Sequence, residues 1–158
     1  MQKVSVLAMD VDGTLTDGKL HISSQGELFK TFHVKDGYGI RVLLAENNII
    51  PVIITGKSSK ILEYRAKEMG VQQIYQGVAD KAECIRTITA SFGFSLKTVA
   101  CIGDDLNDIP MMQLCGIRGC PRDAVLAVKK LCDYICDTDG GQGAVREFIE
   151  WILHTSRS

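Results

Sequence analysis

Asp10 and Asp12 stand two residues apart in Asp10-Val11-Asp12-Gly13-Thr14, directly behind the apolar run Val4-Ser5-Val6-Leu7-Ala8-Met9. Such a run predicts a buried strand. A strand ending there delivers both acids into the loop at its carboxyl edge, where open α/β sheets bind ligands. The plain alternative is a closing turn, because Asp and Gly are ordinary turn residues. A second cluster, Gly103-Asp104-Asp105-Leu106-Asn107-Asp108, follows the apolar run ending at Ile102 in the same manner. Its three carboxylates lie within five residues and repel one another unless a cation or hydrogen-bond donors compensate. Oxygen-rich clusters of this kind suit Mg²⁺, which takes few protein carboxylates and keeps several waters. Capping of a helix that begins near Ile109-Pro110 accounts for one of these acids but not for three.

Between the acidic loops lies Ile53-Ile54-Thr55-Gly56-Lys57-Ser58, again at a strand-to-helix junction. A hydroxyl and backbone N–H groups at a helix start can cradle a phosphate, though an ordinary hydroxyl turn has the same residues. Lys81 in Asp80-Lys81-Ala82 is the other candidate cation; composition alone reads it as a solvated lysine.

The elements that must position these residues alternate along the chain. Strand-like runs cover 4–9, 52–55, 73–75, 98–102 and 134–136. Helical patterns cover 39–46, 59–69, 81–92, 109–114, 124–131 and 144–153. That alternation predicts an α/β fold, a parallel sheet flanked by helices. Pro51 argues that its strand begins there, and Gly70 and Gly93 sit where helices should end. Residues 19–33 break the rhythm and read as an inserted β-hairpin around Ser23-Ser24-Gln25-Gly26, although Phe29 spoils a clean alternation. A flap or an oligomer contact would suit it.

The 158 residues predict a single domain spanning 1–158, and the net charge of −1 argues against a nucleic-acid partner. No apolar stretch approaches a membrane span, and the first apolar run reads as a strand rather than a secretory leader, so the expected location is cytoplasmic. Six cysteines lie mostly in apolar runs and read as buried free thiols. The spacing of the last four, C-x4-C, eleven residues, then C-x3-C, does not read as a zinc site.

Taken in order, Asp10-x-Asp12-Gly13-Thr14, Thr55-Gly56, Lys81 and Gly103-Asp104-Asp105-x-x-Asp108 resemble the four motifs of the haloacid dehalogenase superfamily. More specific stretches include Asp12-Gly13-Thr14-Leu15-Thr16-Asp17-Gly18, Phe32-His33-Val34-Lys35-Asp36-Gly37, Arg65-Ala66-Lys67-Glu68 and Gly140-Gly141-Gln142-Gly143-Ala144-Val145-Arg146-Glu147. These look like the small capless branch that holds the 3-deoxy-D-manno-octulosonate 8-phosphate and N-acylneuraminate 9-phosphate phosphatases. The resemblance implies a Rossmann-like fold without a large cap domain and a Mg²⁺-dependent phosphatase acting on a sugar-acid phosphate.

It also implies roles. Asp10 would be the nucleophile that forms an aspartyl phosphate, and Asp12 the acid and then the base. Thr55, Gly56 and Lys81 would hold phosphoryl oxygens. Asp10, the Asp12 carbonyl and Asp104 would ligate Mg²⁺, with Asp105 or Asp108 supporting the metal or orienting Lys81. Arg65 could bind the sugar acid's carboxylate; equally, it could be a solvated helix charge. Members of the branch resemble one another in forming homotetramers, so the 19–33 hairpin would serve assembly and Gly140–Gly143 would approach a neighbouring subunit's pocket.

Lys57 stands where the octulosonate phosphatases often have arginine, and Ile117-Arg118-Gly119-Cys120-Pro121-Arg122-Asp123-Ala124 looks more like the neuraminate-linked members. The sugar acid therefore stays open. Two other classes compete. A receiver-like phospho-aspartate signalling domain also combines acids, a threonine and a lysine, but it places its phosphoacceptor on a middle strand. A non-catalytic partner of a sugar-nucleotide synthetase is the second.

Overall fold

The computed structural model describes residues 3–155. The chain runs from β1 (Val6–Met9) into a hairpin of β2 (His21–Ser23) and β3 (Gly26–Phe29). A helix follows, α1 (Val34–Tyr38), which continues through a π-helical turn (Gly39–Leu43) into α2 (Leu44–Glu46). Alternation then takes over: β4 (Ile50–Ile54), α3 (Lys60–Glu68), β5 (Gln73–Tyr75), α4 (Lys81–Phe92), β6 (Val99–Ile102) and α5 (Ile109–Met112). The chain closes with β7 (Ile117–Cys120), α6 (Leu126–Lys129), β8 (Tyr134–Ile135) and α7 (Ala144–Thr155).

Strands of the main sheet lie in the order β5-β4-β1-β6-β7-β8, every pairing parallel. β1 is central, with β4 on one side and β6 on the other, so the connections leave it in opposite directions. That is a topological switch point, and the crevice it opens lies at the strands' carboxyl ends. All four β1 residues are buried, as a strand covered on both faces requires. Leu7 and Met9 pack with Ile40, Leu62, Phe148 and Ile149 on one face. Val6 and Ala8 pack with Ile85, Ile88, Met111 and Met112 on the other. Each fully buried side chain of the larger kind contributes roughly 1.5–3 kcal/mol, enough to hold the strand ends at fixed heights.

Local signals explain most boundaries. The side chains of Ser59 and Asp80 cap α3 and α4 by accepting from Leu62 N–H and Glu83 N–H, and Gly93 ends α4 in the left-handed conformation. β4 begins one residue before Pro51. The proline sits harmlessly there because Ile50 N–H reaches Ser5 and the β5 ladder starts only at Val52, opposite Gln73. In the hairpin, Phe29 breaks the alternation because the register shifts between His21 and Ile22; Phe29 thereby stacks on His21 with ring centroids 4.1 Å apart.

Strand β7 has no clear pattern in the sequence. Arg118 and Gly119 interrupt it, and the reason for Gly119 is tertiary: a Cβ there would lie 2.5 Å from the Phe148 ring. The segment that resembled neuraminate-linked enzymes is this strand and the turn after it. Its arginines pair with acids, Arg118 with Asp133 at 2.9 Å and Arg122 with Asp139 at 2.8 Å. They hold the β7–β8 edge together.

Helix α7 is anchored by carboxylates, its own Glu147 and Asp36 of α1. Glu147 accepts from Asp137 N–H (2.7 Å), Thr138 Oγ1–H (2.6 Å) and Tyr134 O–H (2.9 Å), and Asp36 accepts from Arg146 N–H at 2.8 Å. The six cysteines are free thiols. Among the described residues, no helix is long and apolar enough to cross a membrane.

Gly119→Ala should destabilise the chain by about 1–3 kcal/mol, because the added methyl overpacks a filled core. Urea denaturation should show a smaller penalty for Gly119→Ala in a Phe148→Leu background. Equal penalties in the two backgrounds would exclude the ring as the cause.

Candidate active site

Three strand ends meet at the switch point. Asp10 follows β1, Thr55 follows β4, and Gly103-Asp104 follow β6. Register aligns them: Met9 is opposite both Ile53 and Ile102. Asp10 N–H donates to Ile102 O at 3.1 Å, which extends the ladder one residue beyond the strand and fixes the Asp10 backbone. Thr55 is locked likewise, its N–H donating to Tyr75 O and its carbonyl accepting from Val78 N–H, both at 3.0 Å. Gly56 beside it is exposed.

Lys81, the first residue of α4, is buried and reaches two acids. Its Nζ lies 2.6 Å from Asp10 Oδ1 and 2.7 Å from Asp108 Oδ1. The other Asp108 oxygen accepts from Asp104 N–H (3.0 Å) and Asp105 N–H (3.3 Å). Asp108 is thus fully engaged in shaping its loop and orienting Lys81. Asp105 is exposed and caps the turn Leu106–Asp108, accepting from Leu106 N–H at 2.7 Å. It is the acid that capping explains. Asp104 accepts from Thr14 Oγ1–H at 3.2 Å.

Contact between the two acidic loops depends on Gly13. Its φ is +98°, and any side chain there would overlap the Asp104 carboxylate. Gly140 closes on the same loop from the other side, where a Cβ would overlap the Gly13 carbonyl, and Gly141 N–H donates to Thr14 O at 3.1 Å. The start of the Gly140–Gly143 segment packs on this chain's own Asp10–Thr14 loop, because glycine's small size permits backbone-to-backbone packing there.

Asp10, Asp104 and Asp108 each offer a carboxylate oxygen, all within 4.8 Å of one another. One lysine cannot neutralise three such charges. Burial, together with the Asp108 charge, pushes Asp10 up to about 6 in spite of Lys81. Burial, the Asp10 charge and a hydrogen bond with the Asp10 carboxyl push Asp104 up to about 8. Lys81 is held above the usual lysine range, since the charges of Asp10 and Asp108 outweigh the opposing effect of burial. An uncompensated cluster of hard oxygen donors is the setting a small divalent cation fits. With Asp108 committed to Lys81 and backbone N–H groups, Asp10 and Asp104 are the carboxylates left to hold it.

Two basic side chains take partners that the chain order does not reveal. Arg65 lies outside the cluster. It pairs with Glu68 at 3.2 Å, lies against Gly37 and sits 6.0 Å from the Phe32 ring centroid, so it joins α3 to the start of α1. Lys30, which no sequence pattern marks, donates from Nζ to Asp12 Oδ1 at 2.6 Å with its side chain only 5% exposed. Only the fold of the hairpin brings it there.

Residues 52–149 match the haloacid dehalogenase-like hydrolase family. The chain is 40% identical over 150 residues to the 3-deoxy-D-manno-octulosonate 8-phosphate phosphatase KdsC of Yersinia pestis, covering 95% of this chain and 80% of that protein. The cobalt-bound octulosonate 8-phosphate phosphatase of Haemophilus influenzae superposes with a TM-score of 0.94 at 35% identity, over 98% of this chain and 90% of that one. The Moraxella catarrhalis phosphatase, solved with magnesium, phosphate and the sugar acid, gives 0.91 at 40% identity, over 96% and 86%.

The raised acids set a sign for metal linkage. Asp10 and Asp104 bind protons more tightly folded than unfolded, where the ordinary value is 3.8. The metal-free chain should therefore lose stability as pH rises from about 4 through about 8, and a bound cation should oppose that loss. Calorimetric titration with MgCl₂ in buffers of different ionisation enthalpy should register release of about one proton per site at pH 7, fading above about pH 9. Proton uptake, or no proton change across that range, would contradict the assignment.

Proposed function

This chain belongs to the haloacid dehalogenase-like hydrolase family, and on that footing we propose that it is a Mg²⁺-dependent phosphomonoesterase acting on a sugar-acid phosphate. The observation that carries the reading is Lys81 bridging Asp10 and Asp108 at the carboxyl ends of β1 and β6, with Asp12 on the same loop as Asp10. The favoured substrate is 3-deoxy-D-manno-octulosonate 8-phosphate, the compound named for relatives that align along nearly the whole chain. A nonulosonate 9-phosphate such as N-acylneuraminate 9-phosphate is the competitor in the same class.

In this reading Asp10 attacks phosphorus, forming an O–P bond as the bond from phosphorus to the sugar oxygen breaks. Asp12 gives its proton to that oxygen, and the sugar acid leaves as an alcohol. Asp12 then takes a proton from water as the water oxygen attacks the aspartyl phosphate, which releases phosphate and restores Asp10. Thr55, Gly56 and Lys81 hold the phosphoryl oxygens, and Lys81 places positive charge where negative charge accumulates. Asp10, the Asp12 carbonyl and Asp104 would hold Mg²⁺, which when bound offsets the repulsion between an anionic ester and a carboxylate nucleophile. Asp108 keeps Lys81 in place. Six free thiols suit a reducing, cytoplasmic setting.

A homotetramer is part of the proposal. Leu20, Ile22, Leu28 and Phe29 are each more than half exposed on the hairpin, an apolar patch that a second copy of the chain would cover.

With Mg²⁺, the purified protein should release phosphate from octulosonate 8-phosphate faster than from N-acetylneuraminate 9-phosphate. Asp10→Asn should lower kcat/KM by more than about 10³-fold, and chelation of the metal should silence the enzyme. Hydrolysis of no phosphomonoester under any metal condition would refute the enzyme reading, and the reverse preference would move the substrate to the nonulosonates. Sedimentation should find an assembly larger than a monomer that Ile22→Lys with Phe29→Lys disperses; a monomeric wild type would end the tetramer proposal.

A further inference from the structure

The β2–β3 hairpin exposes apolar side chains, yet the side chain of Lys30, just past β3, is only 5% exposed. Burying an ammonium group is costly unless it is paired, and this one meets two carboxylates. Its Nζ contacts Asp12 Oδ1 at 2.6 Å and Glu27 Oε1 at 2.9 Å. The other Glu27 oxygen accepts from Ser59 Oγ–H at 2.5 Å. Ser59 is in turn fixed as the cap of α3, and its N–H donates to Gln76 Oε1 at 2.7 Å.

A continuous chain therefore runs from the body of the fold through Ser59, Glu27 and Lys30 to Asp12. It ends on one carboxylate oxygen of Asp12 and leaves the other unclaimed by Lys30. A carboxylate side chain at the end of a strand loop has free rotation about two bonds, and proton transfer needs it aimed at one oxygen within hydrogen-bond reach. A charge-assisted bond from a buried, doubly anchored lysine removes that freedom.

Resting on the phosphomonoesterase reading above, we propose that Lys30 is a positioning residue that aims the Asp12 carboxyl group at the leaving sugar oxygen. The hairpin then serves proton transfer as well as any assembly role. Glu27 and Ser59 hold Lys30 in register, and displacement of the hairpin misdirects Asp12 without touching the nucleophile or the phosphate-binding groups.

Two esters that differ in their need for a proton make the test. An alkyl ester, octulosonate 8-phosphate, requires protonation of the departing oxygen. p-Nitrophenyl phosphate does not, because nitrophenolate leaves unassisted. Lys30→Met should lower kcat/KM for the alkyl ester by about 10²-fold and for the aryl ester by less than about 5-fold, the size expected when general-acid help is lost. Lys30→Arg, which retains a cation, should recover part of the alkyl-ester rate, and Glu27→Gln should show the same split in weaker form. Thermal melts separate a folding defect from this effect. Should Lys30→Met fail to fold, the split in Glu27→Gln decides. Equal losses on both esters in folded variants would place Lys30 on the phosphoryl group and overturn the proposal, as would no loss on either. Wild-type protein that turns over neither ester would instead overturn the phosphatase reading on which the proposal stands.

Discussion

Everything at the switch point follows from concentrating negative charge at the ends of two adjacent parallel strands. β1 and β6 deliver Asp10 and Asp104 side by side because their registers are fixed by a fully buried sheet. In water these acids would separate; here the ladder prevents it. Lys81 offsets part of the repulsion, and the remainder appears as carboxyl groups that hold protons well above the usual range. A site in that condition gains from any small cation that enters it and from any anionic group whose charge Lys81 can meet. The same imbalance that weakens the bare fold is thus what equips it for phosphoryl chemistry.

Close approach is the second requirement, and glycine meets it. Gly13 lets the Asp10–Asp12 loop touch the Asp104 loop, and Gly140 brings the lead-in of α7 down upon the first. That lead-in is itself tethered, through Glu147 to the Asp137–Thr138 backbone and through Asp36 to Arg146. The Asp10–Thr14 loop is therefore clamped from a helix that lies more than a hundred residues further along the chain. Rigid support of this kind suits a reaction governed by position and charge rather than by elaborate covalent chemistry.

On the proposed reading, the hairpin adds a control on proton transfer through the Lys30–Asp12 bond. Its exposed apolar side chains and Lys30 sit on one short ribbon, so a partner that covered the ribbon would bear on the placement of Asp12. An assembly contact at Leu20, Ile22, Leu28 and Phe29 and an oriented Asp12 would then be two consequences of the same β-ribbon.

The family resemblance singled out Thr55 and Lys81, which locally read as a turn hydroxyl and a solvated lysine; the sequence by itself determined the strand-and-helix alternation and the acids at two strand ends. Both of the latter are short-range features: an apolar run, a turn and a capping residue are legible within a few positions. It also marked the hairpin and the stop at Gly93. Tertiary structure alone decided the rest. β7 was illegible because Gly119 answers to the Phe148 ring and not to any local periodicity. Asp105 and Asp108 look equivalent in the chain, yet the turn between them sends one outward as a cap and the other inward to Lys81. Arg65 belongs to the α1–α3 contact, Gly140 to its own subunit's loop, and Lys30 to Asp12, each through a neighbour distant in sequence. Residue type and spacing state which chemistry is affordable at a strand end. Which side chains share that place depends on register and chain crossing, and those are set only when the whole core packs.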